Sequence, residues 1–380
     1  MKRKISYLCA RILSILNVFI PKKKNMILFY DSMNPVLWDN TEAIYSYIEQ
    51  NDVNEKYKKI IYLSKKEKNK LKCIWYFLRA KYVFLSFGDL RIKPTKNQII
   101  VNQWHGAPIK SIGKLTKCDD YHREKLDNFT YCLCTSDLFK PIFEKAFGCN
   151  KDKVVVLGQA RNDYLYRDLN IKEYWSDFSN FEKRIIWMPT FRLSKDKRFK
   201  DSSIINEETM LPIFEKVSDL EKLNDYLRNK NILLIIKIHA HAEFKDLEYS
   251  NIKFITNDEL INKKIKLYEF ITLFDAMITD YSSVFVDFYL TNKMVAFTMD
   301  DYEDYLNNRG FSVSNPKQYM IGKHIYKIDD YYEFINDVEK NKDDYIEERQ
   351  KVCKVLNKYN DDQNCKRLVE LCGIEFKGEI

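Results

Sequence analysis

Glycine and proline are scarce in this chain, at 9 and 8 among 380 residues, while aromatic residues make up 14% and apolar residues 45%. That balance excludes collagen-like and low-complexity sequences and the polar tracts of disordered chains, and a packed core is expected. Cysteine is odd in number, at nine. The close pair Cys132 and Cys134 is spaced C-x-C, which indicates neither a disulfide framework nor a zinc ribbon and fits a reducing cytoplasm. Nucleotide-binding signatures are also missing: there is no G-x-x-x-x-G-K-[ST] loop, no G-x-G-x-x-G fingerprint and no D-x-D metal clamp. Kinases, dehydrogenases and Mg-clamping sugar transferases lose support accordingly.

The excess of positive charge is concentrated at one end. Lys2, Arg3, Lys4, Arg11, Lys22, Lys23 and Lys24 carry all but one unit of the formal net charge of +8, with no acid among residues 1–24. A global basic surface for nucleic acid is therefore not expected. Between the two basic clusters, residues 5–20 read ISYLCARILSILNVFI. At helical spacing Ile5, Leu8, Cys9, Ile12, Ile15, Leu16, Phe19 and Ile20 share one face, and Ser6, Arg11, Ser14 and Asn17 lie opposite. A helix of that length is roughly 24 Å, short of the ~30 Å hydrocarbon core, and Arg11 sits in its middle, so spanning is disfavoured. Pro21 and three lysines follow it without a small-residue cleavage site, unlike a signal peptide. Two readings stay open: a helix lying in an anionic membrane interface, and an amphipathic helix packed on its own domain.

Short apolar runs then alternate with amphipathic stretches. The runs fall at residues 26–30, 59–63, 82–86, 98–102, 131–135 and 154–158, with helical patterns at 41–48, 71–79 and 137–147, the last ended by Gly148. After the polar stretch 168–184 the pattern restarts with runs at 184–189, 232–239, 253–255, 276–279 and 294–298. Alternation of this kind predicts an α/β fold of two Rossmann-like domains with parallel sheets facing a central cleft. Ligands of such sheets bind outside the carboxyl ends of the strands. The expected divisions are 1–24 (amphipathic membrane-associating segment), 25–167 (N-terminal domain), 168–330 (C-terminal domain) and 331–380 (charged C-terminal helices, a solvated cover).

Five predicted strand ends carry the candidate chemistry. Trp104-His105-Gly106-Ala107-Pro108-Ile109-Lys110 places a histidine at a strand end, where it can act as a general base; Gly106 allows close backbone approach, and Lys110 and Lys114 are near enough in sequence to meet anionic oxygens. Lys237-Ile238-His239-Ala240-His241 repeats a basic residue and a histidine at another strand end. A zinc site at His239 and His241 is disfavoured, since no Asp, Glu or Cys cluster of ligand spacing accompanies them. Thr279-Asp280-Tyr281-Ser282-Ser283 opens a helix that includes Asp287; Asp280 or Ser282 is a natural N-cap, and free N–H groups with adjacent hydroxyls suit phosphate. Pro189-Thr190-Phe191-Arg192 offers a guanidinium for bidentate phosphate contact. In Gly158-Gln159-Ala160-Arg161-Asn162-Asp163, Arg161 and Asp163 are placed to pair as a latch between the halves. His, Lys, Arg and hydroxyl groups with few acids describe a cleft for an anionic, phosphate-bearing ligand.

Taken in order, Trp104-His105-Gly106-x-Pro108-x-Lys110, Gly158-x-x-Arg161-Asn162-Asp163, Pro189-Thr190-Phe191-Arg192, Lys237-Ile238-His239, Thr279-Asp280-Tyr281-Ser282-Ser283, Asp287-Phe288 and Arg309-Gly310-Phe311 resemble the CDP-glycerol glycerophosphotransferase family, which includes teichoic acid primases and polymerases and related capsule polymerases. The resemblance implies a GT-B-like fold and a peripheral place at the cytoplasmic face of the bacterial membrane. It implies transfer of a polyol phosphate from CDP-glycerol, or second to it CDP-ribitol, to a polyprenyl-diphosphate-linked saccharide, with CMP leaving. No cofactor is then required, Mg2+ at most assisting, and no nucleic acid partner is implied.

Carried over, His105 and His239 match the family's two essential histidines, His105 as base on the acceptor hydroxyl and His239 with Arg192 on the pyrophosphate. Ser282 and Ser283 match its phosphate-binding segment, oriented by Asp280, with Thr190, Lys237 and Gly106 completing the donor site. Lys110, Arg161, Asp163, Asp287 and Arg309 take acceptor-side or structural roles. Phe191, Ala240, Gln159 and Ala160 stand where the family usually has Trp, Pro and Tyr-Pro. The length favours a primase or short-chain transferase. A nucleotide-sugar glycosyltransferase of the same fold and a non-catalytic membrane-bound scaffold are the alternatives.

Overall fold

The computed structural model describes residues 2–67, 69–86, 91–116, 126–170, 174–190, 208–209, 211–238 and 248–376, with side chains from residue 8 onward except at position 177. The chain divides into two compact units. The first comprises Met1–Ala107, Asp120–Tyr166 and Lys358–Ile380; the second comprises Pro108–Asp119 and Arg167–Asn357.

Each unit is built on a six-stranded parallel sheet. In the first the strands are β1 (Lys23–Asp31), β2 (Lys58–Leu63), β3 (Ala80–Leu85), β4 (Ile99–Asn102), β5 (Tyr131–Cys134) and β6 (Val154–Val156), in the order β2-β1-β3-β4-β5-β6. In the second they are β7 (Lys183–Trp187), β8 (Ile232–Lys237), β9 (Ile252–Ile255), β10 (Ala276–Thr279), β11 (Met294–Thr298) and β12 (Lys323–Ile325), in the order β12-β11-β10-β7-β8-β9. The near-continuous apolar runs are what parallel strands covered on both faces require, and Ile232–Ile236 are fully buried. In both sheets the chain reverses direction once, between β1 and β3 and between β7 and β10. Those reversals are topological switch points, where the carboxyl ends of neighbouring strands diverge and leave room for a ligand.

The N-terminal helix Lys2–Phe19 is docked by its polar side. The Asn17 amide is fully buried and donates to the Lys93 carbonyl and to Gln98 Oε1, both at 2.9 Å. Lys22 Nζ donates to Asn17 Oδ1 and to the Leu78 carbonyl, each at 2.6 Å. Ser14 Oγ accepts from the Lys93 N–H. The apolar face points away from the unit: Leu8 is 59%, Ile15 63% and Phe19 77% exposed, with Ile12, Leu16 and Val18 also outward. Of the two packing readings of this helix, burial of its apolar side on the same domain is therefore overturned. Its polar groups find stronger partners in the body than its hydrocarbon does. No described helix is long and apolar enough to cross a membrane.

The C-terminal helices are no solvated cover. Ile328–Glu339 buries Tyr331, Phe334, Ile335 and Val338 in the core of the second unit, and Asn364–Cys372 buries Cys365, Leu368, Val369 and Cys372 in the first. Their charges occupy one side of each helix, so high charge and a full apolar stripe coexist at a 3.6 spacing. Among the described elements that the sequence analysis passes over are β12, only three residues long, and the helix Val217–Asn229, whose buried positions Leu220, Leu223, Asn224 and Leu227 do repeat at helical spacing.

Candidate active site

In the first unit the chain leaves β4 at Asn102 and turns sharply. Asn102 Oδ1 accepts from the Trp104 N–H at 3.0 Å, and Trp104 and Gly106 take φ of +55° and +145°. Glycine is needed at the second of these, because a side chain there is strained. The Trp104 ring packs on Phe147 at 5.1 Å and on Phe143, and the His105 ring lies 4.1 Å from it between centroids.

Both carbonyls of the Trp104-His105 turn are held from below. Asn40 Nδ2 donates to the Trp104 carbonyl at 3.1 Å and to Gln159 Oε1 at 2.5 Å. Arg161 donates through one guanidinium nitrogen to the His105 carbonyl at 3.2 Å and to Asp39 at 2.6 Å, and its N–H meets Asn40 Oδ1 at 3.0 Å. The Arg161 side chain is 4% exposed. Asp39 and Asn40 are missed by the sequence reading. The faint signal for them is a polar pair just ahead of the helical pattern beginning at Thr41.

Arg161 and Asp163 are held by different partners inside the first unit. Asp163 accepts from the N–H groups of Asn364 and Cys365 and from the Asn364 amide, at 2.8–2.9 Å. Burial holds its carboxyl above the ordinary aspartate value, against those hydrogen bonds. Gly158, at φ +86°, lies beneath the same helix, where an added Cβ would fall 2.0 Å from Asn364 Oδ1. The Gly158–Asp163 segment thus ties together the His105 turn and the last helix.

In the second unit the switch point between β7 and β10 is closed by Asp280, which is fully buried. Its carboxylate accepts from the Thr190 N–H and the Thr190 hydroxyl, both at 2.5 Å, and from the Ser282 N–H at 3.0 Å. Lys110 Nζ donates to Thr190 Oγ1 at 3.0 Å and lies 5.6 Å from the Tyr305 ring centre. Lys110 thus acts in the second unit, although sequence adjacency groups it with His105. An antiparallel bridge to Phe311, with Ser111 N–H to the Gly310 carbonyl and Ser312 N–H to the Ile109 carbonyl, fastens that segment.

Neither Asp280 nor Ser282 caps the following helix. Ser283 stands at the N-cap position without a side-chain cap bond, and the Asp280 carboxylate meets Thr190 and the Ser282 N–H. Asp287 is fully buried and accepts from Tyr268 Oη at 2.7 Å. Arg309 ends the helix Tyr302–Asn308, and Lys237 ends β8, both half-buried. His239 and Arg192 lie outside the described residues, as do Phe191, Ala240 and His241. Among the described residues no three His, Cys, Asp or Glu side chains cluster as a metal site.

A family model described as CDP-Glycerol:Poly(glycerophosphate) glycerophosphotransferase matches residues 12–372. Over 325 residues the chain is 29% identical to a teichoic acid poly(glycerol phosphate) polymerase of Bacillus spizizenii, covering 77% of this chain and 78% of that protein. Over 196 residues it is 26% identical to the teichoic acid ribitol-phosphate primase of the same species, covering 48% of this chain and 44% of that one, so it matches under half of that relative's length. A solved structure of the wall teichoic acid polymerase TagF superposes with a TM-score of 0.73 at 18% identity, covering 98% of this chain and 96% of the other. At that identity the likeness is one of fold, a GT-B-like pair of parallel-sheet units.

Proposed function

This chain belongs to the CDP-glycerol:poly(glycerophosphate) glycerophosphotransferase family, and from that premise we propose that it transfers glycerol phosphate from CDP-glycerol to a hydroxyl of a lipid-linked saccharide. The acceptor oxygen attacks the phosphorus that bears the glycerol. The bond from that phosphorus to the bridging oxygen breaks, CMP leaves with the electron pair, and His105 takes the hydroxyl proton. Phosphoryl transfer asks a protein mainly to position groups and to neutralise oxygens. The observation that carries the reading is the tie at the second switch point, where Asp280 fixes both Thr190 and the Ser282 backbone with Lys110 beside them.

The remaining assignments follow the same chemistry. Ser282 and Ser283, with their backbone N–H groups, receive the donor phosphates, and Lys237, Arg192 and His239 add positive charge and donors. The outward apolar face of the N-terminal helix, flanked by basic clusters, rests in the anionic surface of the membrane's cytoplasmic face, where a lipid-linked acceptor resides. A ribitol donor is the second reading, favoured by the match to a ribitol-phosphate primase.

Purified protein incubated separately with CDP-glycerol, CDP-ribitol and UDP-sugars, with a synthetic lipid-linked disaccharide as acceptor, is expected to release CMP from CDP-glycerol. The product mass should rise by glycerol phosphate, and the same spectrum counts the units added. Release of UDP alone would make the protein a glycosyltransferase. Intact donors in every arm would favour a scaffold.

A further inference from the structure

Two non-glycine residues of the first unit combine unusual backbone with converging hydrogen bonds. Asp39 and Trp104 are non-glycine residues at φ +59° and +55°, and Gly106 sits at +145°. Backbone of this kind persists only where the surroundings over-determine it, and it concentrates where a side chain must be held in one place. Here the surroundings are specific. The carbonyl of Trp104 is taken by Asn40, the carbonyl of His105 by Arg161, and Asn40 and Arg161 are joined to each other through the Arg161 N–H. Asp39 neutralises the guanidinium, and Gln159 fixes the Asn40 amide.

A side-chain donor on each of two successive carbonyls fixes the peptide planes on both sides of the His105 Cα. The direction of its Cα–Cβ bond is thereby fixed. Trp104 then limits the ring itself, its indole lying against the imidazole and being backed by Phe143 and Phe147. A buried guanidinium and a buried amide are costly to retain unless every partner is met. A loop with no task beyond connection needs neither.

We propose that Asn40 and Arg161 are positioning residues that set the direction of the His105 imidazole, with the Trp104 indole as its backstop. The proposal rests on the reading of His105 as general base. Its effect falls on turnover more than on donor affinity, because a misdirection of about 1 Å at a reacting group costs ~10²-fold in rate.

The test uses the full chain with Asn40→Asp and Arg161→Lys. The first keeps the acceptor for the Arg161 N–H and loses the donor to Trp104. The second keeps the charge against Asp39 and loses the guanidinium that reaches His105. Thermal melting of both variants establishes that they are folded. Imidazole resonances of 15N-histidine-labelled protein, of which the chain holds five, are assigned for His105 by comparison with His105→Ala. In each folded variant the His105 resonance and its titration are expected to move, with kcat for CMP release from CDP-glycerol lowered ~100-fold and KM for CDP-glycerol within about threefold. A His105 resonance that stays in place in both folded variants overturns the positioning role. A moved resonance together with full transfer by His105→Ala supports positioning and overturns the base reading instead, so the two failures are distinguishable.

Discussion

Asp280 shows what a single residue contributes to this site. Its carboxylate is buried, and it is satisfied by donors from two strand ends that are about ninety positions apart in the chain. Thr190 and Asp280 are each legible in the sequence as residues that follow an apolar run. Their pairing is not, because it needs β7 and β10 to be neighbours in the sheet, and only the switch in strand order makes them so. The same limit hides Asn40 beneath His105. The consequence can be measured with Thr190→Val, which keeps the shape and removes the hydroxyl. One oxygen of a buried carboxylate then loses a donor, so stability should fall by about 1–3 kcal/mol. With Asp280 less constrained, the Ser282 backbone should hold phosphate less well, raising KM for CDP-glycerol ~10-fold, the equivalent of roughly 1.4 kcal/mol. Melting and steady-state kinetics read the two effects separately. An unchanged KM alongside the stability loss would confine Asp280 to a structural role.

At the scale of elements, legibility follows burial on both faces. β1, β3, β8 and β10 are apolar runs that stand out in any window, and the structure places them as expected. β12 is too short to carry a pattern, and the C-terminal helices hide a full apolar stripe behind high charge. The N-terminal helix is the instructive case. Its amphipathicity is plain in the sequence, but the side that docks is decided by Asn17 and Lys22 finding partners in Gln98, Lys93 and Leu78. Deleting residues 1–24 would remove those partners along with the exposed face, whereas Leu16→Glu with Phe19→Glu changes the face alone. Each of these side chains gains about 1.5–3 kcal/mol on full burial, so the double variant should partition onto anionic vesicles ~100-fold less or more. Its melting temperature should stay at the wild-type value. Cosedimentation at wild-type levels would dismiss the apolar face as the contact.

For the whole molecule, the distribution of charge supplies a separate check. Residues 1–24 carry seven cations and no acid, while the remaining chain is close to neutral, so an anionic surface attracts one end of the protein rather than its bulk. Each Lys or Arg near such a surface contributes about 1 kcal/mol at physiological ionic strength, and the screening length shortens from ~10 Å at 0.1 M salt to ~3 Å at 1 M. The apolar contribution does not weaken with salt in this way. Partition onto vesicles rich in phosphatidylglycerol should therefore fall steeply across that range and then level off above zero. Phosphatidylcholine vesicles should bind at the plateau level at every salt concentration. Complete release at 1 M would mean that charge alone holds the protein and that the outward leucines and isoleucines stay in water. A flat profile would mean that the basic clusters flank the helix without touching lipid. A fall to a plateau requires both, and it fixes the side of the first unit that faces the bilayer as the side from which Leu8, Ile12, Ile15 and Phe19 project.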